Sequence, residues 1–369
     1  MVFDGLFIPD ELREAVSDAA WVRGMLAAER ALAIVQGFEP VELDADPEEL
    51  AREGRQVGNP VEPLVGRLRE QSEDAHHGAT SQDIMDTAAA LVARDAKALV
   101  LRELDGLAAA CARLAEQHRD TAMAGRTLLQ QATPTTFGLK AANWLAGLVQ
   151  VRTVLRDIEI PAQLGGASGT LAAFGDGGLE IRAAFARELG LPEPVVTWHT
   201  MRVPLAVLGQ RLGIAASVVE KIALDVVLLS QTEVGEVREP HEGGSSTMPH
   251  KRNPVGSTLA RACAMRARAA AGVLTASLVQ EHERAVGAWH AEWSPLAEVL
   301  ACTGGAASWM RQTLEGLEVD TARMRANIRD DDVLSEAAKF APEARVPEDY
   351  LGSAGALVDR ALAFYRESA

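Results

Sequence analysis

Three apolar seams, each advancing in steps of four and three, constrain this chain more than any other feature. The first is Val100, Leu104, Leu107, Cys111 and Leu114. The second is Phe137, Ala141, Trp144, Leu148, Val151, Leu155 and Ile158. The third is Leu208, Leu212, Ala215, Val219, Ile222, Val226 and Leu229. Such a stripe lies along one side of a helix, and one sustained over successive heptads belongs to helices packed nearly parallel. Strand signals are nearly absent, with 2 Tyr in the whole chain and few β-branched alternations. The expectation is an all-α fold, a bundle of long helices. Trp144 occupies a seam position, so its default role is core packing. Around the seams, Asp10 to Val35 reads as one amphipathic helix or two short ones broken near Ser17-Asp18. Asp44 to Gly58 is irregular or briefly helical. Further helices run from Pro254 to about Glu283, on to near Glu315, and from Gly352 to Arg366.

At 369 residues and 48% apolar, the chain can bury a sizeable core and is not disordered. A formal charge of -16 argues against nucleic acid or an anionic membrane as partner. An anionic substrate therefore requires a locally positive site. Cys111, Cys263 and Cys302 are unclustered, which fits buried free thiols in a reducing compartment. Met1-Val2-Phe3-Asp4 opens without a basic region and apolar core, and no run reaches membrane-spanning length. The expectation is a soluble, cytoplasmic protein.

Chemistry-bearing residues cluster beside the ends of the long helices. Gly243 to Pro254, Gly-Gly-Ser-Ser-Thr-Met-Pro-His-Lys-Arg-Asn-Pro, places hydroxyls, a lysine, an arginine and an asparagine on a mobile Gly/Ser backbone. Pro254 then opens a helix, as proline does at a first turn. This is the pattern of a lid with anion-binding groups hinged on a rigid element. His76-His77-Gly78-Ala79-Thr80-Ser81-Gln82-Asp83 precedes another long helix. Ser81 is a plausible N-cap and Asp83 suits the helix dipole, so the amides there form a carboxylate seat. By itself, without the lid string elsewhere, this cluster reads better as a helix cap with incidental histidines. Gly125 to Pro134 precedes the second seam. The turn region Gln163 to Gly178 has no Walker lysine or Rossmann spacing, so it is not a phosphate loop. Val195 to Pro204 contributes Arg202 as a candidate carboxylate ligand. No Cys/His metal spacing and no Gly-x-Ser-x-Gly elbow appear, and no cofactor or metal is expected.

The lid string resembles the signature of the fumarase/aspartase superfamily. All three separated regions of that superfamily are recognisable here, from about His76 to Trp293. Within it, Gly78-Ala79-Thr80-Ser81-Gln82-Asp83, Leu129 to Pro134, Lys251 to Gly256 and Gln280 to Arg284 look most like the bacterial 3-carboxy-cis,cis-muconate cycloisomerases. Many superfamily lyases carry a glutamate five residues after the lid asparagine, where it supports a catalytic histidine. Here those positions are Thr258 and Gln131. The Glu-His acid of the lyases is therefore missing as a pair.

The resemblance implies catalytic roles for Ser245, His76 and Lys251. It implies substrate contacts from Thr80, Ser81, Gln131, Thr133, Ser246, Asn253 and Arg202. The implied reaction is a lactonisation of a tricarboxylate diene, in the protocatechuate branch of aromatic degradation, through an aci-carboxylate held by Lys251, Asn253 and the Thr80/Ser81 seat. Ser245 is the first choice of proton donor and His76 the second. Adenylosuccinate lyase, or another fumarate-releasing lyase, is the nearer alternative; a catalytically silent helical scaffold is the other. The implied architecture has an N-terminal helical domain over 1–80, a central long-helix bundle with the lid over 81–315, and a shortened C-terminal helical segment over 316–369. A homotetramer acting on a small polycarboxylate, with sites shared between subunits, completes the expectation.

Overall fold

The structure, a computed structural model, describes residues 2–240, 242–244, 247–248 and 251–368. Its main elements are the helices Ser81–Gln117, Phe137–Arg156, Val203–Ser230, Val255–Ala276 and Trp293–Glu315. The seams predict the core well: every seam residue is buried except Val151 and Ile158, which are half-buried. Ile158 lies past the end of its helix at Arg156. All three cysteines are free and buried, and burial raises the Cys302 thiol to about 11. Among the described residues no helix is long and apolar enough to cross a membrane.

The chain forms two compact units. One comprises Met1–Val100, Asp157–Gly213 and Arg266–Cys302, the other Leu101–Arg156, Ile214–Met265 and Thr303–Ala369. In the first, the N-terminal helices Asp10–Ala15 and Asp18–Val35 are separated at Ser17, whose hydroxyl accepts the Ala20 N–H. Gly24 lets the second of these cross the Ser81–Gln117 helix closely, since a Cβ there would stand 3.1 Å from Ala88. Leu12, Met25, Leu32, Leu64, Leu68 and Ile84 are buried in this unit. In the second unit, Leu104, Leu107, Leu148, Val226, Met310 and Leu314 form the core, and Val358 and Leu362 of the last helix, Ala354–Glu367, are also buried.

Three local expectations are corrected. Ala122–Thr127 and Gln130–Thr136 form an antiparallel hairpin where no strand was expected. Its tip is Leu128-Leu129, both left-handed (φ 51° and 65°) and both exposed. Such tips normally carry Asn or Gly, so two leucines gave no turn signal. Gly125 permits the close pairing, because a Cβ would meet the Thr133 carbonyl at 2.5 Å. The helix expected to reach Glu283 ends at Ala276. Gln280 then donates to the Ser277 carbonyl, and the Glu281 carboxylate accepts the Val286 N–H to form a turn. Finally, the residue before the Ser81–Gln117 helix is Thr80, and it, not Ser81, makes the capping contact: its N–H donates to Asp83 at 3.0 Å.

Candidate active site

In the first unit the site residues gather at the start of the Ser81–Gln117 helix, with Asp83 as their hub. Its buried carboxylate accepts the backbone N–H groups of Thr80, Gly165 and Gly166 at 2.9–3.0 Å. The His199 ring stands 2.7 Å away through Nε2. A carboxylate taking this many donors fixes the turn at Gly165-Gly166, with Gly166 left-handed at φ 74°, against the helix N-terminus. Gly78 is left-handed too, and a Cβ there would strike Phe174 at 2.7 Å. Above this base the half-buried Thr80 and Ser81 hydroxyls have no hydrogen-bond partner among the described residues. They and the first-turn amides make a seat for an anionic group. His76 adopts a left-handed backbone (φ 61°), and its Nδ1 stands 2.6 Å from Oε1 of Glu29. His77 is exposed and its ring packs edge-on to Phe38.

Arg202 is not a substrate ligand in this geometry. Its guanidinium is 1% exposed and donates to both oxygens of Asp86, both oxygens of Glu292 and the Trp198 carbonyl. That occupies its donor set. The plane stacks 4.5 Å over Trp198. Burial opposes its charge, but Asp86 and Glu292 outweigh it and hold the guanidinium above its ordinary value. Burial raises Glu292 against the pull of Arg202. Trp289 and Gln163 also donate to Asp86, and Gln82 links Asp86 to the His199 carbonyl. The group is a buried polar scaffold under the seat.

The second unit holds the remaining candidates. The Gln131 amide donates to the Asn327 carbonyl at 2.7 Å and accepts the Arg329 N–H, which ties the hairpin to the chain beyond the Thr321–Asn327 helix. One amide hydrogen and one lone pair remain for a ligand. Arg126 in the hairpin pairs with the buried Glu236 at 2.5 and 3.0 Å. Thr133 lines a cleft of about 850 Å³ together with Arg126, Lys140, Trp144, Lys221 and Asp225. Lys221 pairs with Asp225, and Trp144 donates to that same carboxylate. Lys140 makes no hydrogen bond or ion pair among the described residues, and burial lowers its pKa. The cleft thus gathers three cationic side chains, Arg126, Lys140 and Lys221, with Asp225 in a chain of net charge -16.

The lid rises from a short two-stranded stem, Glu242–Gly243 paired with Asn253–Pro254. Asn253 closes the stem by donating its amide to the Gly243 carbonyl at 2.8 Å. Glu239 anchors the helix behind it by accepting the N–H groups of Gly256 and Ser257. Lys251 is exposed. Thr258 donates to the Pro254 carbonyl of its own helix. Ser245 and Ser246 lie outside the described residues.

Sequence reasoning missed Glu29, Asp83 as a hub, His199, Asp86, Glu292 and Lys140. For Glu29 a signal was present: Val22, Met25, Glu29 and Leu32 share a three-four-three stripe, and all four are buried. A carboxylate on an apolar seam is worth asking about. Asp83 and Asp86 are buried acids one turn apart on the same helix, but their partners are distant in sequence and left no local pattern. Among the described residues, no group of three His, Cys, Asp or Glu side chains could hold a metal ion. What the described side chains offer is hydrogen-bond donors and an imidazole in the first unit and lysines in the second.

Comparison with known proteins agrees with this chemistry. The chain matches the family model described as Lyase over residues 12–269. It is 45% identical over 351 residues to nitrosuccinate lyase of Streptomyces davaonensis, an alignment covering 85% of this chain and 74% of that protein. It is 43% identical over 375 residues to 3-carboxy-cis,cis-muconate cycloisomerase of Pseudomonas aeruginosa, covering 94% and 82% respectively. The crystal structure of 3-carboxy-cis,cis-muconate lactonizing enzyme from Pseudomonas putida matches with a TM-score of 0.92 at 34% identity, covering 100% of this chain and 99% of that one.

Proposed function

The chain belongs to the lyase family of the fumarase/aspartase superfamily, and on that footing we propose that it lactonises 3-carboxy-cis,cis-muconate to a carboxymuconolactone. The observation that carries this reading is the replacement of both members of the lyases' Glu-His acid. Gln131 is spent partly on backbone around Asn327, and Thr258 on its own helix. That loss accompanies strings around the seat and lid that resemble the cycloisomerases. One substrate carboxylate attacks the conjugated double bond. The resulting aci-carboxylate is held by Lys251, Asn253 and the Thr80/Ser81 seat, and a proton passes to the α carbon. Ser245 is the first choice of donor, His76 the second. Because nucleophile and acceptor share one molecule, positioning supplies much of the rate. Lys140 beside Thr133 supports the reading, since a tricarboxylate offers a further anionic group for it to meet.

The chain's relative of 45% identity supports a second reading, elimination from nitrosuccinate through the same kind of aci-carboxylate. We place the site in a closed homotetramer, with clusters drawn from different subunits. The Val203–Ser230 helix supports this with four exposed apolar residues, Val203, Val207, Ile214 and Leu224, exposed by 38–48%. The test of function is to incubate the purified protein separately with 3-carboxy-cis,cis-muconate, nitrosuccinate and adenylosuccinate, and follow ultraviolet absorbance. Loss of the muconate diene band is expected. Turnover of nitrosuccinate or adenylosuccinate with none on the muconate overturns the proposal.

A further inference from the structure

We propose that Glu29 is a positioning residue for the reaction: it binds the Nδ1–H of His76, sets that ring's tautomer, and leaves Nε2 as the atom that holds or delivers a proton. Three features of the first unit carry this. The pair is short, 2.6 Å, and well shielded, with side chains 10% and 5% exposed for His76 and Glu29. Glu29 stands on the buried stripe of the Asp18–Val35 helix, between Met25 and Leu32, where packing alone calls for an aliphatic side chain. Its second oxygen, Oε2, is buried and has no hydrogen-bond partner among the described residues. Burying a carboxylate with one oxygen unanswered is costly, and so is a left-handed backbone at a non-glycine residue such as His76. Costs of this kind persist where they serve a site.

The chemistry follows from the geometry. With Nδ1–H engaged by a carboxylate, the neutral ring keeps its lone pair on Nε2, which has no partner among the described residues. Once protonated, the ring carries a proton at Nε2 that it can pass to the α carbon of an aci-carboxylate. The neutral imidazole that remains keeps Nδ1–H on Glu29, so no further proton need move. A chain that has Gln131 and Thr258 where the lyases keep an acid pair thus holds a carboxylate–imidazole pair in its other unit. The other charged groups near Glu29 are Arg30, Glu39 and Asp74, which line the adjoining small cavity, and Arg30 is committed to Glu42.

This inference rests on the placement of His76 in the site, and its test separates the two. Ring 15N resonances of His76, assigned by their loss in His76→Gln, need no substrate. The neutral wild-type ring is expected to carry its proton on Nδ1 and its lone pair on Nε2. Glu29→Leu should shift the neutral ring toward Nε2–H. It should also lower kcat on the order of 100-fold, measured on whichever of the muconate or nitrosuccinate the wild type consumes, with KM little changed. Glu29→Gln keeps an acceptor oxygen, so it should restore the tautomer and part of the rate; it also stands in if the leucine variant does not fold. A wild-type ring already in the Nε2–H form overturns the inference. So does a tautomer and kcat unmoved in Glu29→Leu, or, where that variant does not fold, a Glu29→Gln protein whose ring adopts the Nε2–H form with unchanged kcat. Failure to consume muconate strikes the proposed function alone.

Discussion

Replacing Arg202 with methionine tests whether the buried polar group beneath the seat is held by charge. The side chain is 1% exposed, and its partners Asp86 and Glu292 are 2% and 1% exposed, so solvent can neither screen the pair nor replace the lost cation. Methionine fills a similar volume and keeps the packing on Trp198, which isolates the electrostatic loss. Stripping one partner from a buried ion pair costs about 3–5 kcal/mol, because the remaining charge is left uncompensated. Here two carboxylates are left facing each other, so the upper part of that range applies. The pH dependence has a definite sign. Glu292 is already raised by burial with Arg202 present. Without the guanidinium, Glu292 moves further above its unfolded value. A folded state that holds protons more tightly than the unfolded one loses stability as pH rises through that interval, and recovers it on acidification. The assay is urea unfolding of wild type and Arg202→Met at matched concentration, at pH 8 and pH 5.5, followed by circular dichroism. A deficit of about 3–5 kcal/mol at the higher pH, shrinking at the lower, is expected. A deficit under about 1 kcal/mol at pH 8, or one that grows on acidification, would refute the reasoning.

The lid residues should separate by role. Ser245→Ala should lower kcat strongly with KM little changed, whereas Lys251→Ala should damage both, since its charge meets substrate in ground and transition states. Near-normal turnover in the serine variant removes Ser245 from the mechanism and leaves His76. For assembly, inactive His76→Ala and Ser245→Ala proteins, unfolded together and reassembled, should regain activity through mixed sites. A mixture shown by mass spectrometry to contain hetero-oligomers yet inactive would rule out a site shared across a subunit boundary.

Much of the fold was legible in the chain because helix packing leaves a local trace. Phe137, Ala141, Trp144 and Leu148 are three or four residues apart, so one side of one helix shows itself within a single segment. The same holds for Ser17 as a helix start. The hairpin was illegible because its tip uses leucines in a conformation that ordinarily calls for glycine or asparagine. Arg202 was misread for a related reason: a lone arginine at a polar junction looks the same whether it faces a substrate or two buried acids.

Periodicity by itself therefore determined that this chain is a bundle of long helices. Only the tertiary structure decided which polar groups are spent on each other. Asp83 meets His199 from 116 residues away, Arg202 meets Glu292 from 90, and Glu29 meets His76 from 47. Apolar burial is non-directional and needs only a stripe of the right spacing, so a sequence can announce it. A hydrogen bond or ion pair needs a particular donor within about 3 Å of a particular acceptor, and that distance exists only once the chain has folded.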